Sequence, residues 1–363
     1  MPQTKNRDAV PVLDSPQLYK RMDPSGFESR IVDLPAHCRQ AWADATALQL
    51  PKSFRSAEKV LVVGMGGSAI GGDLVSDIAV LEKAPPVLAC RDYSIPQWVD
   101  ERTLVVVSSY SGETEETLAS FQKALGTGAM LVAITSGGTL DKKAAANKMP
   151  VLRVVGNREP RTTLGYGFVG LLGLLCNLGL LKDKRQDLDV AVKALKKQSA
   201  RLGSSVATES NQAKTLALEL KGKAAVVYGA GILTGVARRW KTQINENAKT
   251  WAFYEVVPEL NHNSVEGYSF PSATDNKVCV IMLQSSFNSD RVKLRQKLIL
   301  DELAEAGIAN RAIEAKGDNV LAQMLSTILL GDYASYYLAM LNGVDPSQTP
   351  RLNSIKKKLS QIK

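Results

Sequence analysis

Residues that bind metals or form disulfides are scarce in this chain. Its 363 residues include two histidines and four widely separated cysteines, with no Cys-x-x-Cys pair. No cluster of histidine, cysteine and carboxylate has a metal-ligand spacing, so we expect no metal and no cofactor. Isolated cysteines are typical of reduced thiols, and the opening residues contain no continuous apolar stretch like that of a signal peptide. We therefore predict a cytoplasmic protein.

Aromatic residues are also few, at 6% of the chain, although Lys and Arg outnumber Asp and Glu by 45 to 36. The net charge of +9 attracts anions. Because the basic residues are dispersed and are not interleaved with aromatics, we expect no nucleic acid partner. A small phosphorylated substrate is favoured by the same sign of charge.

Long uncharged stretches are limited to residues 164–181, followed by a basic run. Eighteen residues just reach the length of a membrane span, but the segment is rich in glycine and contains Asn177. We predict a buried helix at a domain or subunit interface and no membrane partner. Because such a helix needs a cover, the segment also favours a dimer.

Short apolar runs rich in β-branched residues alternate with helix-like segments, which predicts parallel strands joined by helical crossovers. The predicted strands are 60–64, 87–90, 104–108, 130–134, 151–155, 224–229, 251–255 and 278–283. The predicted helices are 68–81, 114–125, 139–147, 164–220 with a break near Gly203, 290–305 and 318–341.

The apolar strand and glycine-rich turn at 60–72 recur at 225–237, which indicates two copies of one α/β unit. The fold class is therefore α/β, with two subdomains that each contain a parallel sheet flanked by helices. The predicted segments are an N-terminal arm with helical stretches (1–54), the first subdomain (55–160), a helical connection (161–222), the second subdomain (223–345) and a C-terminal helical segment (346–363).

Two loops of the first subdomain have the residues of an anion site. The glycine loop, 64–69, and the serine loop, 108–114, each follow a predicted strand and open a helix. Carboxyl ends of parallel strands meet at one crevice, so both loops converge on one ligand, and their amides and hydroxyls suit a sugar phosphate. The predicted phosphate ligands are Gly66, Gly67, Ser68, Ser109, Ser111 and Thr114.

Other interpretations of these loops stay open. The glycine loop also fits a dinucleotide fingerprint, with Asp92 as the acid that binds a ribose, or a purely structural turn. In the serine loop, Ser111 and Thr114 could simply cap the following helix.

Five segments together carry a specific resemblance: GMGGSAIGGDL, SSYSGETEETL, EPRTTLGY, QINENAK and ELNHNSVEGY. They resemble the sugar-isomerase (SIS) fold and, more closely, the bifunctional phosphoglucose/phosphomannose isomerases of archaea and bacteria, over about residues 55–360. The resemblance implies two flavodoxin-like SIS subdomains and a homodimer whose active sites are shared between chains. It also implies metal-independent interconversion of glucose 6-phosphate and mannose 6-phosphate with fructose 6-phosphate through a cis-enediol. Glu113 departs from the Asn that many members have.

Such an isomerisation needs a base that moves a proton between C2 and C1, a group that stabilises the enediolate, and groups that open the ring. The resemblance assigns the proton shuttle to Glu246 and ring opening to His262, whose imidazole Glu266 could orient. Arg161 can place a permanent charge against an enediolate oxygen. From the residues alone, Glu246 could be an exposed helical Glu, His262 a structural His and Arg161 a solvated Arg.

The C-terminal segment completes the predicted site. The resemblance implies that Lys356 assists at the ring oxygen, with Lys357 and Lys358 as alternatives, and that Thr349 leaves room for the mannose epimer. Two other functions stay open: a different SIS enzyme acting on an amino-sugar or arabinose phosphate, and a non-catalytic sugar-phosphate sensor.

Overall fold

The first sheet contains five parallel strands. In the computed structural model, which describes residues 12–155, 158–270 and 277–362, the strand order is β2-β1-β3-β4-β5. The strands are β1 Lys59–Val63, β2 Val87–Cys90, β3 Thr103–Ser108, β4 Met130–Thr135 and β5 Val151–Arg153. Every residue of β3 is buried, as expected for a strand covered on both faces. This is the doubly wound order of flavodoxin-like folds, and all five strands were predicted.

Helices cover both faces of this sheet. The N-terminal segment folds into α1 Pro16–Met22, α2 Phe27–Val32 and α3 Leu34–Ala47, and the crossovers are α4 Ile70–Ala79, α5 Glu115–Ala124 and α6 Gly138–Ala146. We predicted residues 1–54 as an appended arm with helical stretches. Residues 1–11 lie outside the described residues. In the structure, Phe27, Leu34 and Trp42 are buried in the same apolar core as β1 and β3, so residues 12–54 are part of the molecule's main core.

The uncharged segment forms a π-helix, Gly165–Gly170, that continues into α7 Leu171–Asn177. It lies between α3 and α4, where glycines allow backbones to approach closely. A Cβ on Gly165 would lie 2.8 Å from the carbonyl carbon of His37, and one on Gly71 would lie 1.7 Å from the carbonyl oxygen of Gly167. Helices of the same chain therefore cover this segment. The prediction of a buried helix is confirmed, but the segment needs no second subunit as a cover and so gives no argument for a dimer.

The connection continues with α8 Arg185–Leu202 and α9 Gln212–Leu220. The predicted break near Gly203 is confirmed, and a second break at 178–184 was not predicted. Among the described residues, no helix combines the length and apolar character that crossing a membrane requires.

The second sheet contains four parallel strands in the order β7-β6-β8-β9. They are β6 Ala224–Ala230, β7 Ala252–Val257, β8 Val278–Gln284 and β9 Ala309–Glu314, with α10 Thr234–Ala248 and α11 Asp290–Glu305 between them. Strand β9 was not predicted. It is an edge strand with the sequence ANRAIE, in which only Ile313 is fully buried, so it has no apolar run.

Helix α12, Val320–Leu341, is the centre of the molecule, and α13, Pro350–Leu359, follows it. Residues 321–340 of α12 are all buried, against α8, α9 and α10. Asp332 is the one charged residue in this helix, and it pairs with Arg239 of α10. The pairing holds α10, which carries Glu246, against the core.

Candidate active site

The glycine loop follows β1 as a single 3-10 turn, Gly66–Ser68. Gly66 has a φ of 49°, a left-handed conformation that favours glycine. A Cβ on Gly67 would lie 3.1 Å from the backbone of Arg161, which is closer than most side chains pack, so glycine suits this close approach. The Ser68 hydroxyl accepts a hydrogen bond from the backbone N–H of Tyr110 at 3.2 Å. The glycine loop therefore lies against both the serine loop and the Arg161 turn.

The serine loop lies after β3, beside β1 at the point where strand order reverses. The buried Ser109 donates its hydroxyl hydrogen to Thr114 Oγ1 at 3.0 Å, and the Glu113 N–H donates to Ser111 Oγ at 3.2 Å. Thr114 occupies the N-cap position of α5 without a side-chain capping bond. Ligands of doubly wound sheets bind at this crevice.

Glu113 is directed away from the other side chains of the serine loop. Its carboxylate accepts from the backbone N–H of Thr139 at 2.6 Å and from its hydroxyl at 2.9 Å, at the start of α6. The Glu113 carboxylate therefore bonds the start of the next crossover helix, while the Ser109, Ser111 and Thr114 hydroxyls keep the arrangement described above.

The corresponding crevice of the second sheet is occupied by protein. Ser285 and Ser286 follow β8 as the serine loop follows β3. The Gln323 side chain of α12 accepts from the Ser285 hydroxyl at 2.7 Å and donates to Ser286 Oγ at 2.6 Å. The two copies of the α/β unit therefore differ. In the second copy, the Gln323 side-chain amide of α12 is hydrogen-bonded to both serine hydroxyls.

Arg161 is buried, with 4% of its side chain exposed, in the turn Pro160–Thr162. Its Nε donates to Asn247 Oδ1 at 2.7 Å, and its Nη2 donates to the carbonyls of Pro346 at 2.6 Å and Ser347 at 3.0 Å. Its Nη1 lies 3.5 Å from Glu246 Oε2. The alternative of a solvated arginine is therefore wrong.

Glu246, in the last turn of α10, has 25% of its side chain exposed. It faces an open cavity of about 710 Å³ that is also lined by Lys249, Trp251 and Thr349. The ammonium of Lys249 donates to the carbonyls of Glu246, Asn247 and Asp345. Burial, and to a smaller extent the Arg161 guanidinium, lowers the pKa of Lys249 to about 8.

Comparison with known proteins assigns this arrangement to a family. Over 339 residues the chain is 38% identical to a bifunctional phosphoglucose/phosphomannose isomerase of Caldicellulosiruptor bescii, covering 93% of this chain and 99% of the relative. The chain belongs to the bifunctional phosphoglucose/phosphomannose isomerase family. The family described as the bacterial phospho-glucose isomerase C-terminal SIS domain matches residues 209–359.

Two further matches have lower sequence identity to this chain. A D-glucosamine-6-phosphate 4-epimerase of Sulfolobus acidocaldarius is 32% identical over 68% of this chain and 75% of the relative. The crystal structure of a hypothetical protein of Thermus thermophilus has a TM-score of 0.72 and 18% identity, covering 96% of this chain and 93% of that chain. The structural match supports the fold alone.

Two residues that the phosphoglucose/phosphomannose isomerase resemblance assigned to the site are exposed and do not line the Glu246 cavity of their own chain. His262 is exposed in the turn Glu259–His262, and within the described part of the chain no hydrogen bond joins it to Glu266. Lys356 is exposed on α13, where no residue is buried. Neither lines the cavity at Glu246, whereas Thr349 does.

Three residues that neighbour Arg161 or Glu246 were not predicted from the sequence. Asn247 and Lys249 lie within the segment QINENAK, so the motif itself held a signal for them. Phe27, 1% exposed, packs its ring 5.3 Å from the Arg161 guanidinium carbon. It lies in the N-terminal segment, to which we assigned no chemistry, and nothing local marks it as a neighbour of Arg161.

Proposed function

We propose that this chain interconverts glucose 6-phosphate and mannose 6-phosphate with fructose 6-phosphate through a cis-enediol. The buried Arg161 guanidinium beside the half-buried Glu246 carboxylate is the observation that carries the proposal. A carboxylate at this position takes the proton from C2 of the open-chain sugar and returns it to C1. The guanidinium stabilises the enediolate oxygen while the proton is on the carboxylate.

The phosphate group binds where the glycine and serine loops meet. The amides and hydroxyls that bind the phosphate come from Gly66, Gly67, Ser68, Ser109, Ser111 and Thr114. The contact between Gly67 and the Arg161 backbone supports this assignment, because the Arg161 side chain then extends from the phosphate crevice to the Glu246 carboxylate. A hexose 6-phosphate has its phosphate and its reacting carbons at opposite ends, as this arrangement requires.

We test the reaction by fructose 6-phosphate formation from glucose 6-phosphate and from mannose 6-phosphate in separate assays with EDTA. Glu246→Gln lowers kcat by about 10²–10⁴-fold on both substrates, because the general base is lost. Glu209→Gln, a change at an exposed glutamate in the turn Thr208–Ser210, is the matched control with full activity. Inhibition by EDTA, or full activity of the Glu246 variant, contradicts the proposal.

A second candidate activity is C4 epimerisation of an amino-sugar phosphate, which the similarity to the Sulfolobus epimerase supports. Glucosamine 6-phosphate, supplied as the only substrate, tests it directly.

Thr349→Gln separates the two isomerase activities: we expect loss of mannose 6-phosphate turnover with retention of glucose 6-phosphate turnover. Equal loss of both contradicts the role of Thr349 in selectivity.

The functional unit in our proposal is a homodimer with shared active sites, in which His262 and Lys356 come from the partner chain. Exposed apolar side chains that line the Glu246 cavity support this arrangement: Trp251 is 77% exposed, Phe253 is 50% exposed, and Leu352 of α13 is 46% exposed. All four cysteines are free, which supports a reducing compartment such as the cytoplasm.

Subunit mixing tests the shared site. Glu246→Gln and His262→Ala chains, each inactive alone, are mixed, unfolded and refolded together. If the sites are shared, half of the dimers have one intact site, and about a quarter of wild-type activity returns. If both residues act within one chain, activity stays at the level of the single variants. Light scattering measures whether the chain is dimeric.

A further inference from the structure

Asn247 follows the proposed base in sequence but lies on a different face of α10. Successive helical residues are rotated by about 100°, so Glu246 faces the cavity while Asn247 faces α12. Asn247 is completely buried, at 0% exposure. A buried amide must find partners for both its oxygen and its nitrogen.

Those partners determine which way the amide points. Ser335 of α12 donates its hydroxyl hydrogen to the carbonyl of Asp332 at 2.9 Å. Its oxygen is therefore the acceptor for Asn247 Nδ2, at 3.0 Å. The amide oxygen then faces Arg161 and accepts from Nε at 2.7 Å. With the amide reversed, two donors would face each other in the core.

The contact with Asn247 determines the orientation of the Arg161 guanidinium. A planar guanidinium bonded through both Nε and Nη2 cannot rotate about its long axis without losing hydrogen bonds. Nε is bonded to Asn247, and Nη2 is bonded to Pro346 and Ser347. Nη1 is the nitrogen that remains directed at Glu246.

Helix α12 supports Arg161 at a second point. Arg239 donates from Nη2 to the backbone carbonyl of Arg161 at 3.2 Å and to the Asp332 carboxylate at 2.9 and 2.8 Å. Asp332 and Ser335 are one helical turn apart, so one face of α12 holds both the backbone and the side chain of Arg161.

We propose that Asn247 is a positioning residue: with Ser335 it holds the Arg161 guanidinium so that Nη1 meets the enediolate beside Glu246. This inference rests on the proposed function. A contact that acts through Arg161 has no effect once the Arg161 side chain is gone, whereas a contact that only stabilises the fold acts equally in both backgrounds. The two roles therefore differ in a double-mutant cycle.

The experiment measures kcat and KM for glucose 6-phosphate in Asn247→Ala, Arg161→Ala and the double variant, with thermal unfolding of each. We expect Asn247→Ala to lower kcat about 10- to 100-fold with KM changed less than about threefold, because the guanidinium acts in the transition state. In the Arg161→Ala background the same change alters kcat less than about twofold. Ser335→Ala, a milder change, gives a smaller loss that also disappears without Arg161.

Asn342→Ala is the matched control. Its amide also bonds the end of α10, through the carbonyl of Ala248 and the hydroxyl of Thr250, but it does not contact Arg161. We expect full kcat from this variant. If Asn247→Ala does not fold, Ser335→Ala takes its place in the cycle.

Three results overturn the inference. One is a wild-type kcat in the folded Asn247→Ala variant, or in Ser335→Ala if Asn247→Ala does not fold. Another is the same fold-loss of kcat with and without Arg161. The third is full activity of Arg161→Ala, which also refutes the role of Arg161 in the proposed function. Loss of activity in Arg161→Ala with no effect at Asn247 refutes the positioning role alone.

Discussion

The ion pair between Arg239 and Asp332 joins α10 to the buried helix α12, and its loss has a calculable effect. The two side chains are 2% and 8% exposed. Asp332 accepts from Arg239 Nη2 through both oxygens and from Gln243 Nε2 at 3.0 Å. Asp332→Leu leaves a buried guanidinium without its counter-ion, which costs about 3–5 kcal/mol of unfolding free energy. The unpaired Gln243 amide adds about 1 kcal/mol.

Equilibrium unfolding in urea at pH 7 measures the effect, with Asp332→Leu, Arg239→Met and the double variant. We expect the double variant to lie within about 2 kcal/mol of wild type, because two apolar residues of similar volume leave no buried charge. A loss below about 1 kcal/mol in Asp332→Leu refutes the reasoning. So does a double variant whose loss equals the sum of the two single losses.

Three further predictions concern other buried groups. Burial raises the pKa of Asp77 to about 7, so its contribution to stability is lost as the pH rises from about 4 to 7; the stability of Asp77→Asn relative to wild type should therefore increase between pH 5 and pH 8 in urea unfolding, and a constant difference contradicts this. Lys214 is fully buried and donates to Asp14, so Lys214→Met should lose about 2–4 kcal/mol of unfolding free energy and expose the N-terminal segment to limited proteolysis; an unchanged cleavage rate contradicts the role of the pair. Phe27→Ala removes a buried ring that packs on Arg161, so we expect a loss of about 3–5 kcal/mol and a lower kcat, and unchanged kcat in the folded variant contradicts the second expectation.

Most of the fold was predictable because its signals are local. Central parallel strands buried on both faces require continuous apolar runs, as in β1, β3 and β8, and eight of the nine strands in the described residues were predicted. The ninth, β9, lies at a sheet edge where one buried residue is enough. The glycine and serine loops were also predictable, since tight turns after strands restrict residue type over a few positions.

The sequence by itself determined the alternation of strands and helices, the two loops and the candidate residues Arg161 and Glu246. Only the tertiary structure decided which of these residues meet. Arg161 reaches Asn247 across 86 positions, and Ser335 lies a further 88 positions along the chain. The fold also decided that α3 covers the uncharged segment and that His262 and Lys356 remain exposed in a single chain. Periodicity reports the environment of one segment, whereas a buried guanidinium is oriented by partners from several segments, and their juxtaposition exists only once the core has packed.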